Sequence, residues 1–425
     1  MIKNWKKNKF IVIIFIIVVF LFPSTLSRVS DYNSMLICLG IGVDVSDDGY
    51  TFSVQSLVPE QTSAFKKNLK THSAKGKTLQ QSVNNLATHL GKEIGLAHCA
   101  FIVVNQEVLN GNLINVVDFF IRKYKISYNS VVVATEKKSQ EILDLGSELN
   151  NSEGFNFSSL LDYNNRNIFS RAPNIENIYS SVLGGSPYYA IDIISSSKNA
   201  DEGVEVSSNS GESSAGEQAS GGGSQSSSQN NQSQEGDKQE KDNVLVNNGD
   251  VFLMKKGQSI AKVNVNDNVG VRYINPSNKN FSLTVSGIND NIFKDATIDL
   301  YSQKKVQFNN YYFEQNVPVV ELNIVQYFTI TNVKQNDYDS TVYSISENIF
   351  SKELIDACEK EIVKNIQSGV DMLKRYNCDV SHVYNAFIKY DYYKFKDFIN
   401  NLKNKDEYFK YIKFVPKVSV RYYSD

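Results

Sequence analysis

The sequence predicts an α+β protein: a mixed α/β N-terminal domain, then a C-terminal domain with an antiparallel-rich sheet and one long helix. Three observations carry this. Before residue 195, apolar runs of strand length alternate with amphipathic helical stretches. After residue 245, apolar residues recur with period two. Finally, Leu354, Cys358, Ile362, Ile366, Val370 and Leu373 fall at spacings of four and three, one unbroken helical stripe that must lie against a sheet or another helix.

Met35 to Val43 is nearly continuous apolar sequence and reads as a buried strand. Asp48-Gly49 is a two-residue hairpin signal. Beyond it, Tyr50, Phe52 and Val54 alternate with Thr51, Ser53 and Gln55, the pattern of a half-buried strand. Thr78 and Gln81 have capping-box spacing, with Leu79, Val83, Leu86 and Leu90 as the helical stripe and Gly91 or Gly95 as its end. Ala100 to Val104 reads as a buried strand, and Leu113, Val116, Val117 and Phe120 as a second amphipathic helix. Ser130 to Ala134 reads as a third buried strand, and Ser139 as the cap of a short helix carrying Ile142 and Leu143.

In the second half, Val251-Phe252-Leu253 leads to a turn at Lys256-Gly257. Ala261, Val263 and Val265 then alternate, as do Phe281, Leu283 and Val285. Val317 to Ile330 contains two strand-like runs. Val415, Val418 and Val420 form a last strand ending at Tyr423.

The 425 residues suit more than one domain, and the expected division is 1–27, 31–194, 195–245 and 246–425. Residues 1–27 hold Lys3, Lys6, Lys7 and Lys9 before an apolar run from Phe10 to Phe22, closed by Pro23. A basic segment before an apolar one directs export, either as an uncleaved anchor or as a cleaved signal peptide. Both place the bulk of the chain outside the cytoplasm. Residues 195–245 form a Ser, Gly and Gln-rich linker, because such a composition buries too little apolar area to offset its ordering entropy.

A formal net charge of -2 argues against a nucleic-acid partner. Four Cys are too few for a disulfide scaffold. Cys38, Cys99 and Cys358 lie in apolar segments. Cys378 is the one expected near the surface, and a Cys358–Cys378 bridge stays open. His72, His89, His98 and His382 show no metal-ligand spacing with Cys or Glu. Gly40-Ile41-Gly42 lacks the third glycine and following helix of a phosphate loop, so a tight strand or bulge explains it better. No metal, cofactor or catalytic residue is expected. The Lys- and Tyr-rich tail from Tyr390 to Lys413, broken by Asp391, Asp397, Asp406 and Glu407, reads as a solvated helix face turned toward anionic lipid headgroups.

Together these segments resemble the spore germination receptor C-subunit family, the Ger(x)C type. The resemblance rests on Leu39-Gly40-Ile41-Gly42-Val43-Asp44 with Asp48-Gly49-Tyr50, on Gly76-Lys77-Thr78-Leu79, and on Leu96 to Val104 around His98. Val117 to Arg122, Val251-Phe252 with Lys255, and Asp379 before the Lys- and Tyr-rich tail complete it. It covers 34–145 well and 246–425 loosely. The chain departs from the family in having no Cys before Cys38, so no lipid can be attached near residue 27, and an uncleaved anchor would replace it. The resemblance implies a non-enzymatic, membrane-anchored subunit on the outer face of the spore inner membrane. Its partners would be a polytopic transporter-like receptor subunit and a second membrane subunit. Partner docking is expected near His98 and Arg122 in the first domain and Asp379 in the last. The plainer alternatives are a hydrogen-bonded core residue for His98, and an ion pair or cap for Arg122 and Asp379. An extracytoplasmic solute-binding protein, an envelope enzyme or scaffold, and a secreted adhesin are the competing classes.

Overall fold

In a computed structural model the protein is described over residues 35–58, 68–153, 157–166, 172–197, 244–275, 282–335, 338–340 and 350–423. The expected leader and residues 198–243 of the insert lie outside these residues, as does Phe281. No helix among the described residues is long and apolar enough to cross a membrane.

The first half is built on a six-stranded sheet. Strands β1 (Met35–Ser46), β2 (Gly49–Val58), β3 (Asn68–Gly76), β4 (Glu93–Gly95), β5 (Phe101–Asn105) and β6 (Val131–Thr135) lie in the order β3-β2-β1-β5-β6, with β4 beside the start of β1. β1, β5 and β6 are parallel, whereas β2 and β3 are antiparallel. Helices α1 (Leu79–Leu90) and α2 (Leu113–Tyr124) cover one face, burying Val83, Leu86, Val116, Val117 and Phe120 on Ile41, Val43, Phe52 and Ile102. Helices α3 (Ser139–Glu153) and α4 (Phe157–Arg166) cover the other, where Ile142, Leu143 and Phe157 meet Phe101, Val103 and Val133. A sheet covered on both faces explains why its parallel strands read as unbroken apolar runs.

That second layer also corrects the reading of β2. Ser53 and Gln55 are buried along with Phe52 and Val54. Gln55 Nε2 donates to Leu143 O at 3.3 Å and to Ser147 Oγ at 2.9 Å, so α3 receives the polar face of the strand. The hairpin turns at Asp47-Asp48, one residue before the expected position, with Ser46 paired to Gly49. Gly40 and Gly42 serve clearance. A Cβ on Gly40 would strike the Phe101 ring, and one on Gly42 would strike Ser139. A register shift between Cys38 and Gly40 completes the irregular strand. Ser139 starts α3, which runs 15 residues and is not short.

Helix α5 (Ile175–Leu183), capped by Asn174, leads into β7 (Tyr188–Asp192). α4 and α5 were not legible in the sequence. Strand β8 (Ser195–Ser197) pairs antiparallel with β9 (Val244–Val246), so the insert leaves and returns at one hydrogen-bonded place. Strands β10 (Val251–Lys255) and β11 (Gln258–Val263) then form a hairpin through the expected turn at Lys256-Gly257, and β10 pairs with β7. One three-stranded sheet, β11-β10-β7, therefore crosses the boundary drawn at the insert.

The C-terminal half curls a sheet around one helix. Strands β12 (Ser282–Ile288), β13 (Ala296–Glu314), β14 (Val317–Gln335), β15 (Tyr338–Ser340) and, at the end, β16 (Lys413–Tyr422) make it up, with β16 parallel to β14. β13 and β14 each run 19 residues, so the two runs expected from Val317 to Ile330 are one strand. Val265 is not a strand residue. It opens helix α6 (Val265–Ile274), capped by Asn264.

Helix α7 (Lys352–Tyr376) buries all six residues of the predicted stripe. Helices α8 (Val383–Tyr390) and α9 (Tyr392–Asn400) follow. All four cysteines are free and buried, Cys378 included, so no Cys358–Cys378 bridge is present and the expected exposure of Cys378 is wrong. α6 and α7 cross with their backbones in contact: a Cβ on Gly270 would meet the Asn365 carbonyl and Gly369 N, and one on Gly369 would meet Gly270. Overpacking costs about 1–3 kcal/mol and occasionally more. Gly369→Ala should therefore lower stability by at least that much in urea titration, while Ser368→Ala beside it changes little.

Candidate functional site

The place where the two halves meet is built from strand β10. Its side chains alternate, so its two faces enter two cores. Phe252 and Met254 pack with Tyr189 and Ile191 in the first core, while Val251 and Leu253 join Tyr188 and Val263 in the second.

Buried charge lies on the same joint. Asp192, the last residue of β7, faces Arg272 of α6, with Oδ1 accepting from Nη2 at 3.5 Å; the side chains are 1% and 8% exposed. Asn247 donates to the other carboxylate oxygen at 3.4 Å. Burial pushes the Asp192 carboxyl up to about 6, against the opposing pull of Arg272 and Asn247. Burial likewise lowers Arg272, with Asp192 opposing. Both directions say that desolvation outweighs the attraction across this long contact.

A cleft of about 300 Å³ opens over the pair. Asn177 and Ser181 of α5, Asn268 of α6, and His382 line it with Asp192 and Arg272. His382 adopts a left-handed backbone, and its Nδ1 is buried with no partner among the described residues.

Asp379 is the second brace. Its carboxylate accepts Val383 N–H at 2.8 Å and Tyr384 N–H at 2.9 Å, capping α8 from three residues before the helix's own cap position. Ser186 Oγ donates to it at 3.1 Å and Tyr408 Oη at 2.8 Å. One carboxylate thus ties the loop before β7, the start of α8 and the turn at Lys405–Tyr411 into one knot. Burial raises the Asp379 carboxyl, and the two backbone N–H groups and Tyr408 pull it back down. Burial is also the first cause pushing Tyr408 up. Asp44 repeats the device at the other end of the first sheet. It accepts Ser139 N–H at 2.6 Å and the Ser139 hydroxyl at 2.9 Å, so Asp44, not Ser139, caps α3. Lys305 of β13 caps the C-terminus of α6, its Nζ donating to Tyr273 O at 3.2 Å and Asn275 O at 3.0 Å. Burial lowers that ammonium to about 7.

The three residues expected near a docking surface lie apart, and no hydrogen bond or ion pair among the described residues joins them. His98 sits exposed in the turn before β5, outside the strand in which the sequence placed it and outside the core. Arg122 is exposed on α2 and pairs with Asp118 at 2.7 Å, one helical turn away; Asp118 also accepts from Tyr179 Oη at 3.0 Å. Asp379 is buried, and the partners just named engage both its oxygens, the cap that the plainer reading of this residue expects. Sequence reasoning missed Asp192 and Arg272, which lie in apolar or mixed segments where single charges look incidental, and it held Asp44 within a motif without reading it as a cap. Among the described residues, no cluster of three or more His, Cys, Asp or Glu could hold a metal.

Residues 28–195 match the family model described as the spore germination protein N-terminal domain. The chain carries that domain. The resemblance to the Ger(x)C germination family, read from the Gly40–Asp44 and Val117–Arg122 segments, is thereby shown. A solved structure described as the crystal structure of the GerBC protein is similar at 12% identity and a TM-score of 0.47, covering 91% of this chain and 97% of that one. No curated protein matches.

Replacing Asp379 by Ala strands the Val383 and Tyr384 backbone donors and removes the acceptor of the Tyr408 hydroxyl, each an unmet group costing about 1–3 kcal/mol, while Ser186 Oγ keeps the Asp379 carbonyl at 3.1 Å. It should destabilise the chain strongly in urea titration, whereas Arg122→Ala, on an exposed pair, stays within about 1 kcal/mol. For Asp192, whose folded value lies above the unfolded one, the contribution to stability is full below about pH 4 and is lost as pH rises through about 6. Wild type should therefore lose stability relative to Asp192→Asn over that window. Arg272→Met, which removes the cation facing the buried Asp192 carboxylate, costs on the order of 3–5 kcal/mol at neutral pH. Parallel urea curves at pH 4, 5, 6 and 7 measure both.

Proposed function

We propose that the chain is a non-enzymatic, membrane-anchored extracytoplasmic subunit of a spore nutrient-germinant receptor, acting through protein–protein contacts in germination. The match of residues 28–195 to the germination domain carries this reading. The leader residues Lys3 to Phe22 support the anchor and the outward orientation, with residues 1–27 in the membrane and 31–194, the 195–245 segment and 246–425 outside. The anchor confines the chain to the membrane plane and raises its effective concentration toward a polytopic transporter-like subunit and a second membrane subunit. Coupling to a germinant then requires contacts that differ between two states of the complex. The use of Asp44, Asp192 and Asp379 as braces fits a body that transmits contact as a unit.

Purification of the tagged chain from detergent-solubilised spore membranes should bring down a polytopic membrane protein, and deletion of the chain should delay nutrient-triggered germination. A chain that purifies alone, with germination unchanged on deletion, contradicts the reading. The cleft above Asp192 and Arg272 is the one observation that favours the alternative, an extracytoplasmic solute-binding protein or envelope scaffold unrelated to germination.

A further inference from the structure

Helices α8 and α9 are separated by a single residue, Asp391, which caps α9 by accepting Lys394 N–H at 3.1 Å. The chain bends sharply there. On the inner side, Phe387 and Phe395 stack at 5.0 Å on the second core and hold the elbow in place. On the outer side, Tyr390, Tyr392 and Tyr393 stand 55%, 50% and 83% exposed. The rings of Tyr392 and Tyr393 meet edge to face at 5.5 Å, and the Lys396 ammonium lies 5.8 Å from the centre of the Tyr392 ring. Lys389 and Lys394 flank them, both exposed. Asp391 is engaged by Lys394 at 3.7 Å, which leaves Asp397 as the other acid on α9. Tyrosines with an apolar body and a wet tip, bordered by lysines, suit a membrane–water interface and anionic headgroups.

The position of the elbow agrees with its chemistry. Because β1, β5 and β6 are parallel, Met35, Phe101 and Val131 mark one end of the first sheet. Asn174 bridges to Val131, so α5 starts at that end, and β7 runs parallel beside β6 through the Ala134–Ile193 bridge. Ser186, just before β7, bonds to Asp379 and brings α8 to the same end. Lys389 and His382 share a shallow cleft with Ser180 and Ser181 of α5. Between Phe22 and Met35 lie only residues 23–34, which extend at most about 40 Å. A bilayer holding the leader is therefore within reach of this end of the body.

We propose that the Tyr390–Lys394 elbow rests on the anionic bilayer surface, with the three tyrosines at headgroup level and Lys389 and Lys394 against lipid phosphates. The inference depends on the anchored reading above, and the test separates the two. The full chain is reconstituted into vesicles with an environment-sensitive fluorophore at Tyr393→Cys, and in a parallel sample at Asp48→Cys, in the turn at the opposite end of β1 from Met35. The four native cysteines are buried. Flotation reports the anchor. Emission shift and quenching by brominated lipid report contact at each label. The expected result is a blue-shifted, quenched label at 393 in phosphatidylglycerol-containing vesicles, weaker in pure phosphatidylcholine, and a wet label at 48. The double change Lys389→Gln and Lys394→Gln should lower the docked-to-undocked ratio by on the order of tenfold. A floating chain whose 393 label is as wet as the 48 label overturns the elbow while leaving the anchor standing. Quenching that needs a co-reconstituted polytopic subunit assigns the surface to protein and overturns it too. Quenching unchanged in the double variant removes the lysines from the contact, and a chain that does not float at all overturns both readings.

Discussion

Strand β10 is the constraint on which the rest of the architecture depends. A strand with one polar face belongs to one core. β10 has none, because Phe252 and Met254 enter the first core and Val251 and Leu253 the second. Its pairing to β7 fixes the exit from the first half, and its hairpin to β11 delivers the chain to α6. Full burial of a large apolar side chain contributes about 1.5–3 kcal/mol, so four such residues on one five-residue strand hold the halves together far more firmly than a flexible tether would.

The polar groups at the joint play a different part. Asp192 and Arg272 meet at 3.5 Å in a buried setting that disfavours both charges, so they contribute orientation more than net stability. Asp379 is better supplied, with two N–H donors and the hydroxyls of Ser186, Ser381 and Tyr408, and it locks the start of α8 to the loop before β7. These groups give the joint a defined geometry.

Much of this architecture was legible in the residues, and its failures have physical causes. Thr78 accepts Gln81 N–H as read; Gln81 Oε1 reaches Lys77 N, one residue beyond the expected box. The α7 stripe is buried as its period required, because periodicity reports a single dominant packing direction. On β2, Ser53 and Gln55 have the pattern of a solvent face, yet a helix bearing Leu143 O and Ser147 covers them. Val265 continued an alternating pattern, yet the Asn264 cap turned the chain into a helix. Of the candidate site, Asp379 was singled out for its place before the tail, but its role emerged only when Ser186, 193 residues earlier, was brought beside it. No local signal announces so distant a partner. Asp192 and Arg272, likewise, become a pair only in three dimensions.

Through β10 the two halves form one cooperative body. Native-state hydrogen exchange on the full chain in detergent, followed amide by amide across Val251–Lys255 with rising denaturant, tests it most directly. The account predicts that these amides share the slowest exchange of both cores and that all three lose protection in one transition. Loss of protection in either half at low denaturant, while the other half and β10 stay protected, would contradict it.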